Sequence, residues 1–205
     1  MDAMKLPKIR EVIEAVKALI VGPYTSKFPA KPHVAHPNFR GQPKYNEEKC
    51  VGCCSCEVVC PVEAIAHKDV LEGDGAPKRT MIHYTDTCIF CGECEAGCMA
   101  DHEGIKLSTD WELSFFDRKE AYETIDKELQ LCEVCGDVIA TKDHLKWIAE
   151  KIGELAFSNP TLYMSRLKSL GIIDENIASV MRDYGRSDRV KILCARCRRE
   201  TTISS

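Results

Sequence analysis

The chain has 205 residues, with 28 Lys plus Arg against 32 Asp plus Glu, a formal charge of −4, 44% apolar residues and only 7% aromatic ones. That length holds one or two domains with a real core; the ordinary charge content excludes wholesale disorder, and the mild acidity argues against a nucleic-acid coat. No apolar run approaches the ~18–20 residues that span a bilayer, and charges scattered through MDAMKLPKIREVIEAVKALIVG break the uncharged core that a signal peptide needs.

Residues 8–21 read as an amphipathic helix. Ile9, Val12, Ile13, Val16, Leu19 and Ile20 fall on one face, with Pro7 before it and Gly22-Pro23 as a stop signal. Such a helix packs on the protein's own core, or lies on a membrane surface or a partner subunit. Residues 24–45 carry Pro29, Pro32, Pro37 and Pro43 with Gly41, which excludes a helix and suits an extended arm or a linker.

From residue 46 onward the chain is dominated by its 13 cysteines. An odd number cannot pair completely, no secretion signal points to an oxidising compartment, and the short spacings suit metals or clusters better than disulfides. The first reading is an intracellular metalloprotein with reduced thiols. Residues 46–110 contain an internal repeat with a shift of 38, which aligns Cys50, Cys53, Cys56 and Cys60 with Cys88, Cys91, Cys94 and Cys98. Each run is C-x2-C-x2-C-x3-C. Three thiolates on a tight turn reach three irons of one cubane, and the fourth, carried away by the next helical turn, points to the other. Cys50, Cys53, Cys56 and Cys98 are therefore expected to hold one [4Fe–4S] cluster, and Cys88, Cys91, Cys94 and Cys60 the other. Two zinc sites would have no use for this crossing. Gly52 and Gly92 are expected to let backbone amides approach the sulfurs. Cys54 stands where the second run has Gly92, and reads as a small buried hydrophobe rather than a ligand.

Between the runs, AIAHKDV and TMIHY read as strands around a LEGDGAPKR turn, and GIKLSTD and WELSFF are further strand candidates. From residue 118 onward Glu and Lys rise and helices are expected at about 118–130, 142–156, 160–170 and 174–184, with Asn159-Pro160 and Asp174 as start signals. In the last of these Ile177, Val180, Met181 and Tyr184 form a core stripe. LCEVCGD and LCARCRRE bracket the region. Their two CxxC knuckles, Cys132, Cys135, Cys194 and Cys197, build a tetrahedral site, read first as structural zinc, second as a rubredoxin-like iron, and third as two free or partner-ligating pairs. Gly136 suits the positive φ of such a turn. Metal closure of a long insertion offsets its loop entropy. The basic run from Arg182 to Arg199 is diluted by Asp183, Asp188 and Glu200, lacks an aromatic platform, and reads as a solvated face or a subunit contact rather than a nucleic-acid site.

The two runs resemble bacterial two-cluster ferredoxins, down to Pro61 after Cys60, although Met99 follows Cys98. FRGQPKYNEEKCVGC (39–53), CIFCGECEAGC (88–98) and IKLSTDWELSFFDRKE (105–120) sharpen the match. Over residues 5–120 the chain is similar to the two-cluster subunit shared by respiratory complex I and the membrane-bound group 4 [NiFe] hydrogenases, including formate hydrogenlyase. The resemblance implies that the N-terminal helix and arm lie against membrane-domain and hydrogenase-type subunits. The later CxxC pairs resemble the formate hydrogenlyase member in layout.

No GxGxxG or P-loop indicates a nucleotide site. The six histidines, His33, His36, His67, His83, His102 and His144, have no ligand spacing and read as surface or hydrogen-bonded residues. No acid–base pair stands out, so the chain is expected to move electrons rather than make bonds. The expected fold is α+β: an arm over 1–45, a two-cluster ferredoxin-like domain over 46–117, and a mostly helical extension over 118–205. The expected function is electron relay through two [4Fe–4S] clusters, with one zinc, in a hydrogenase-type complex held peripherally on the cytoplasmic side of the membrane. A complex I-like dehydrogenase subunit is the second reading. A zinc-dependent, redox-sensing interaction module is the third.

Overall fold

The structure, a computed structural model, describes residues 8–22, 25, 27–72, 75–173 and 191–203. The helix expected at 174–184 and the start of the basic run lie outside them. The chain forms two compact units, Met1–Pro37 and Asn38–Ser205.

In the first unit α1 spans Ile9–Val21, as the apolar spacing requires. The Lys8 backbone N–H donates to the Glu11 carboxylate at 2.9 Å. Gly22, at φ +81°, closes the helix by donating its N–H to the carbonyl of Ala18. No residue of α1 is buried, and Ile9, Leu19 and Ile20 are 79–86% exposed. No helix among the described residues is long and apolar enough to cross a membrane.

The second unit is built on two sheets. The short strands β1 (Pro43–Tyr45) and β4 (Ile105–Leu107) pair antiparallel, Tyr45 opposite Ile105. The larger sheet is antiparallel in the order β2-β3-β5-β6: Ile65–Val70, Lys78–Tyr84, Tyr122–Leu131 and Val138–Thr141. In β3 the buried residues are Met81 and His83, two apart as a half-buried strand demands. The two four-residue helices α2 (Ser55–Val58) and α3 (Glu93–Ala96) follow the cysteine turns. The buried residues Ile65, Met81, Ile105 and Ile125 form one core with Cys56 and Cys94.

The repeat is visible in the backbone. Cys54 and Gly92 both take the left-handed conformation, at φ +64° and +86°, ahead of their helices; Glu63 and Asp101 do the same at +53° and +52°. Each pair is separated by the shift of 38. Cys54 thus carries a side chain through a turn that its counterpart makes with glycine.

Two expectations fail. The stretch 118–130 is not a helix: after a short 3₁₀ turn, Arg118–Glu120, it enters strand β5 and pairs with β3. Its inward side is Ile125, Lys127 and Leu129, so a charged residue interrupts the alternation that would have marked a strand. Lys127 is tolerated inside because its ammonium donates to the carbonyl of Glu47 at 2.6 Å and pairs with Asp143 at 3.0 Å. Conversely WELSFF forms no strand, and Phe116 is fully exposed. The extension therefore opens with two strands, and the larger sheet runs across residue 117.

Beyond β6 the helical reading holds. Thr141 caps α4 (Lys142–Ile152), which continues as a 3₁₀ turn over Gly153–Ser158. The side chain of Asn159 accepts from the N–H groups of Thr161 and Leu162 at the start of α5 (Pro160–Ser169). The last helix, α6, spans Ala195–Ile203.

Candidate functional site

The cysteine runs are placed by short turns whose backbone is fixed elsewhere. Arg40 donates to the carbonyl of Cys91 at 3.0 Å and Gln42 to Thr85 at 2.9 Å, so the segment before β1 is tied to the second run. Thr141, wholly buried, donates to the carbonyl of Val51, and its methyl group would stand 2.9 Å from a Cβ placed on Gly52. Gly52 is at φ +65°, so both its conformation and its crowding call for glycine. The first cysteine turn is thereby held by the C-terminal half of the chain.

The folded chain brings the cysteines together across the runs. One cavity is lined by Cys50, Cys53, Cys56 and Cys98. The other is lined by Cys88, Cys91, Cys94 and Cys60. Their remaining walls are largely apolar, including Val51, Met81 and Ile105 in the first and Pro43, Val62 and Ile65 in the second. Strand β3 serves both, Met81 facing the first cavity and His83 the second.

This donor set fits two [4Fe–4S] clusters. Backbone N–H groups already point at sulfur: Ala64 donates to Cys60 at 3.2 Å and Phe90 to Cys88 at 3.4 Å. A Cβ on Gly104 would stand 3.0 Å from the Cys98 sulfur, so the chain is stripped to glycine where it crosses that ligand. Burial pushes the thiols of Cys50, Cys56 and Cys88 up, and that of Cys94 to about 11. Thiols raised by burial ionise readily only beside a compensating cation, which iron would supply to Cys50, Cys56, Cys88 and Cys94. Cys54 lines the first cavity too, but its thiol lies 3.8 Å from the Met81 sulfur and from the Gly52 carbonyl, against the core.

A family model for a 4Fe–4S dicluster domain matches residues 40–102. Formate hydrogenlyase subunit 6 of Escherichia coli (strain K12) is 32% identical over 132 residues, which are 64% of this chain and 70% of that protein. NADH-quinone oxidoreductase subunit I 2 of Geobacter metallireducens is 29% identical over 123 residues, 57% of this chain and 92% of that protein. The chain belongs to this family of dicluster subunits, represented in formate hydrogenlyase and in NADH-quinone oxidoreductase. A chain in the structure of the membrane-bound sulfane sulfur reductase, an archaeal respiratory membrane complex, is 24% identical with a TM-score of 0.39. The match covers 58% of this chain and 62% of that one, a likeness too slight to bear on function.

This dicluster subunit has a third cysteine group. The first CxxC knuckle is the turn between β5 and β6: Cys132 donates its N–H to the carbonyl of Asp137, and Gly136, at φ +75°, returns to the carbonyl of Cys132, both at 2.9 Å. The second knuckle precedes and enters α6. The sulfurs of Cys132, Cys135, Cys194 and Cys197 all lie within 4.8 Å of one another, with Cys135 and Cys194 at 3.7 Å. Burial raises the Cys132 thiol, but the backbone N–H groups of Cys135, Cys194 and Val134 outweigh it and bring the thiol down to about 6. Four sulfurs within 4.8 Å of one another, one of them with its thiol lowered, fit a single tetrahedral ion. Leu193 and Ile139 pack around it.

The histidines divide. His67 meets Glu57 at 2.5 Å and His102 meets the carbonyl of Glu95 at 3.0 Å, as surface residues do. His83 departs from the expected pattern: it is wholly buried, and neither ring nitrogen has a partner. The only sequence signal that could have found it is its offset of 38 from Tyr45, whose hydroxyl is likewise buried without a partner.

Proposed function

We propose that the chain relays electrons through two [4Fe–4S] clusters in a membrane-associated oxidoreductase complex of the group 4 [NiFe] hydrogenase type. The crossed gathering of cysteines around two apolar cavities carries this reading. Cys50, Cys53, Cys56 and Cys98 hold one cluster, and Cys88, Cys91, Cys94 and Cys60 the other. The clusters supply one-electron redox change; the protein sets their separation, excludes water and points N–H groups at sulfur. Cys132, Cys135, Cys194 and Cys197 hold a zinc that staples the extension to the end of β5.

The hydrogenase type rests on the formate hydrogenlyase relative and on the third cysteine group, beyond the dicluster region. The subunit I relative, covered over 92% of its length, favours a complex I-like dehydrogenase as the second reading. The exposed apolar face of α1 is the attachment surface. Full burial of each such side chain is worth ~1.5–3 kcal/mol, enough to seek a bilayer surface or a partner subunit.

The test is anaerobic purification from the native host. About eight irons and eight sulfides, one zinc and co-purifying [NiFe] subunits are expected. About four irons would overturn the crossed ligation, and quinone-reactive partners in place of [NiFe] subunits would move the chain to the second reading. Deleting residues 1–22 should keep the iron yet release the chain from membranes. Full membrane retention with normal activity would remove α1 from the attachment.

A further inference from the structure

We propose that Tyr45 and His83 are each the hydrogen-bond donor to sulfur of the cluster in their own cavity, so that the two clusters are tuned separately by a phenol and an imidazole. The assignment rests on the reading of the two cavities as cluster sites and deepens it.

His83 is 0% exposed, and both its ring nitrogens are enclosed without a hydrogen-bond partner. It lines the cavity of Cys60, Cys88, Cys91 and Cys94. Tyr45 lines the cavity of Cys50, Cys53, Cys56 and Cys98, and its hydroxyl is also buried without a partner. Native proteins rarely leave such groups unpaired. Imidazole in either charge state offers at least one N–H, and a phenol offers its O–H. Besides Glu93, which makes no hydrogen bond to His83, no side chain lining the second cavity offers an acceptor other than sulfur.

The two positions are equivalent. Each lies five residues before the first cysteine of its run and 38 from the other. Each sits opposite an isoleucine in the matching strand pair: Tyr45 faces Ile105 across β1–β4, and His83 faces Ile65 across β2–β3. Two orphaned donors at one position of a repeat, each in a cavity of four thiols, are explained together by one acceptor, the cluster sulfur. Adding an electron makes the cluster more negative, so a donor to its sulfur stabilises the reduced form and raises the potential. Two different donors at equivalent positions make the two cavities unequal electrostatically although their ligands are the same.

The experiment uses the full chain, purified anaerobically with its clusters. In Tyr45→Phe and His83→Phe the iron content should stay at that of the unaltered protein, and each variant should move a different one of the two midpoint potentials to a more negative value in an EPR-monitored titration. His83→Gln, which keeps an N–H, should recover part of the shift. In protein labelled with ¹⁵N at histidine alone, ENDOR of the reduced clusters should show a nitrogen coupling that His83→Phe removes. Should that variant fail to assemble, the coupling in the unaltered protein decides. Full iron with both potentials unmoved, or no histidine coupling in the unaltered protein, overturns the assignment. Iron missing from the unaltered protein overturns the cluster reading, and this assignment with it.

Discussion

The two kinds of cysteine site differ in how their sulfurs are arranged. At the C-terminal knuckles four sulfurs converge to within 4.8 Å of one another. Among the described residues, the thiols of neither run converge so tightly; they stand around two separate cavities, four cysteines lining each, with Cys54 at the edge of the first. Convergence suits one ion, and thiols spread around a space suit a body with several metal atoms. The sequences differ accordingly. Two CxxC knuckles, one in the turn between β5 and β6 and one at the start of α6, bring in two cysteines each. The four-cysteine runs give three cysteines to the near cavity and one to the far cavity, so the lining of each depends on both halves of the repeat.

The largest expected effect arises from that crossing. Cys60→Ser, a change in the first run, should remove or convert the cluster of the second, and Cys98→Ser the cluster of the first. Iron analysis and EPR of each variant would show which signal is lost; loss of the cluster belonging to the altered residue's own run would erase the difference between the two kinds of site. Cys135→Ser should instead remove the single ion while leaving both iron–sulfur signals, because its three fellow ligands are all in the knuckles. Zinc analysis beside EPR checks it, and hydrogen exchange should rise in β6 and α6, beside which the knuckles stand.

A smaller effect tests how the halves of the repeat meet. A Cβ on Gly97 would stand 2.9 and 3.1 Å from the methyl groups of Val59, and 3.1 Å from the carbonyl of Glu93. Residues 59 and 97 are themselves related by the repeat. Gly97→Ala is expected to cost about 1–3 kcal/mol through overpacking, read as a lower denaturation midpoint. Val59→Ala in the same chain should recover part of it, the contact with Glu93 remaining.

The smallest effect concerns the ion pair beneath the first run. Arg79 donates to both oxygens of Asp69 at 2.7 and 2.8 Å and to the carbonyl of Gly52 at 3.2 Å. The hydrogen bond from Arg79 holds the Asp69 carboxyl below its ordinary range, against the opposing effect of burial. Its folded value lies below the unfolded one, so its stabilisation is complete above about pH 5 and is lost as pH falls through the lowered value. Asp69→Asn should therefore cost about 1–2 kcal/mol, the same at pH 5.5 and 7.5. Denaturant melts across that span would show it; a cost that changes between pH 5.5 and 7.5 would sink the account in which the ionised Asp69 carries it.

Some of this molecule was legible before folding. The cysteine runs could be paired crosswise because ligand spacing is local chemistry. α1, α5, β2 and β3 followed from periodicity and from Pro7, Asn159 and Pro160, which are local as well. Strand β5 was not legible, because Lys127 stands on its buried side and breaks the alternation. That residue is at home only where the carbonyl of Glu47 and the carboxylate of Asp143, distant in sequence, converge on its ammonium. Nor was the role of Thr141, which reaches back to Val51 across 90 positions.

The sequence by itself therefore determined which cysteines gather around each cavity, the repeat that crosses them, and the elements whose signals lie within a few residues. Only the tertiary structure decided that the extension begins as part of the sheet behind the cysteine cavities, and that Tyr45 and His83 end in equivalent places, each lining one cavity with its polar atoms buried and unpaired. The reason is physical. Ligand spacing and helix periodicity are set by bonds along the chain, whereas the burial of a polar group depends on which distant atoms come to satisfy it.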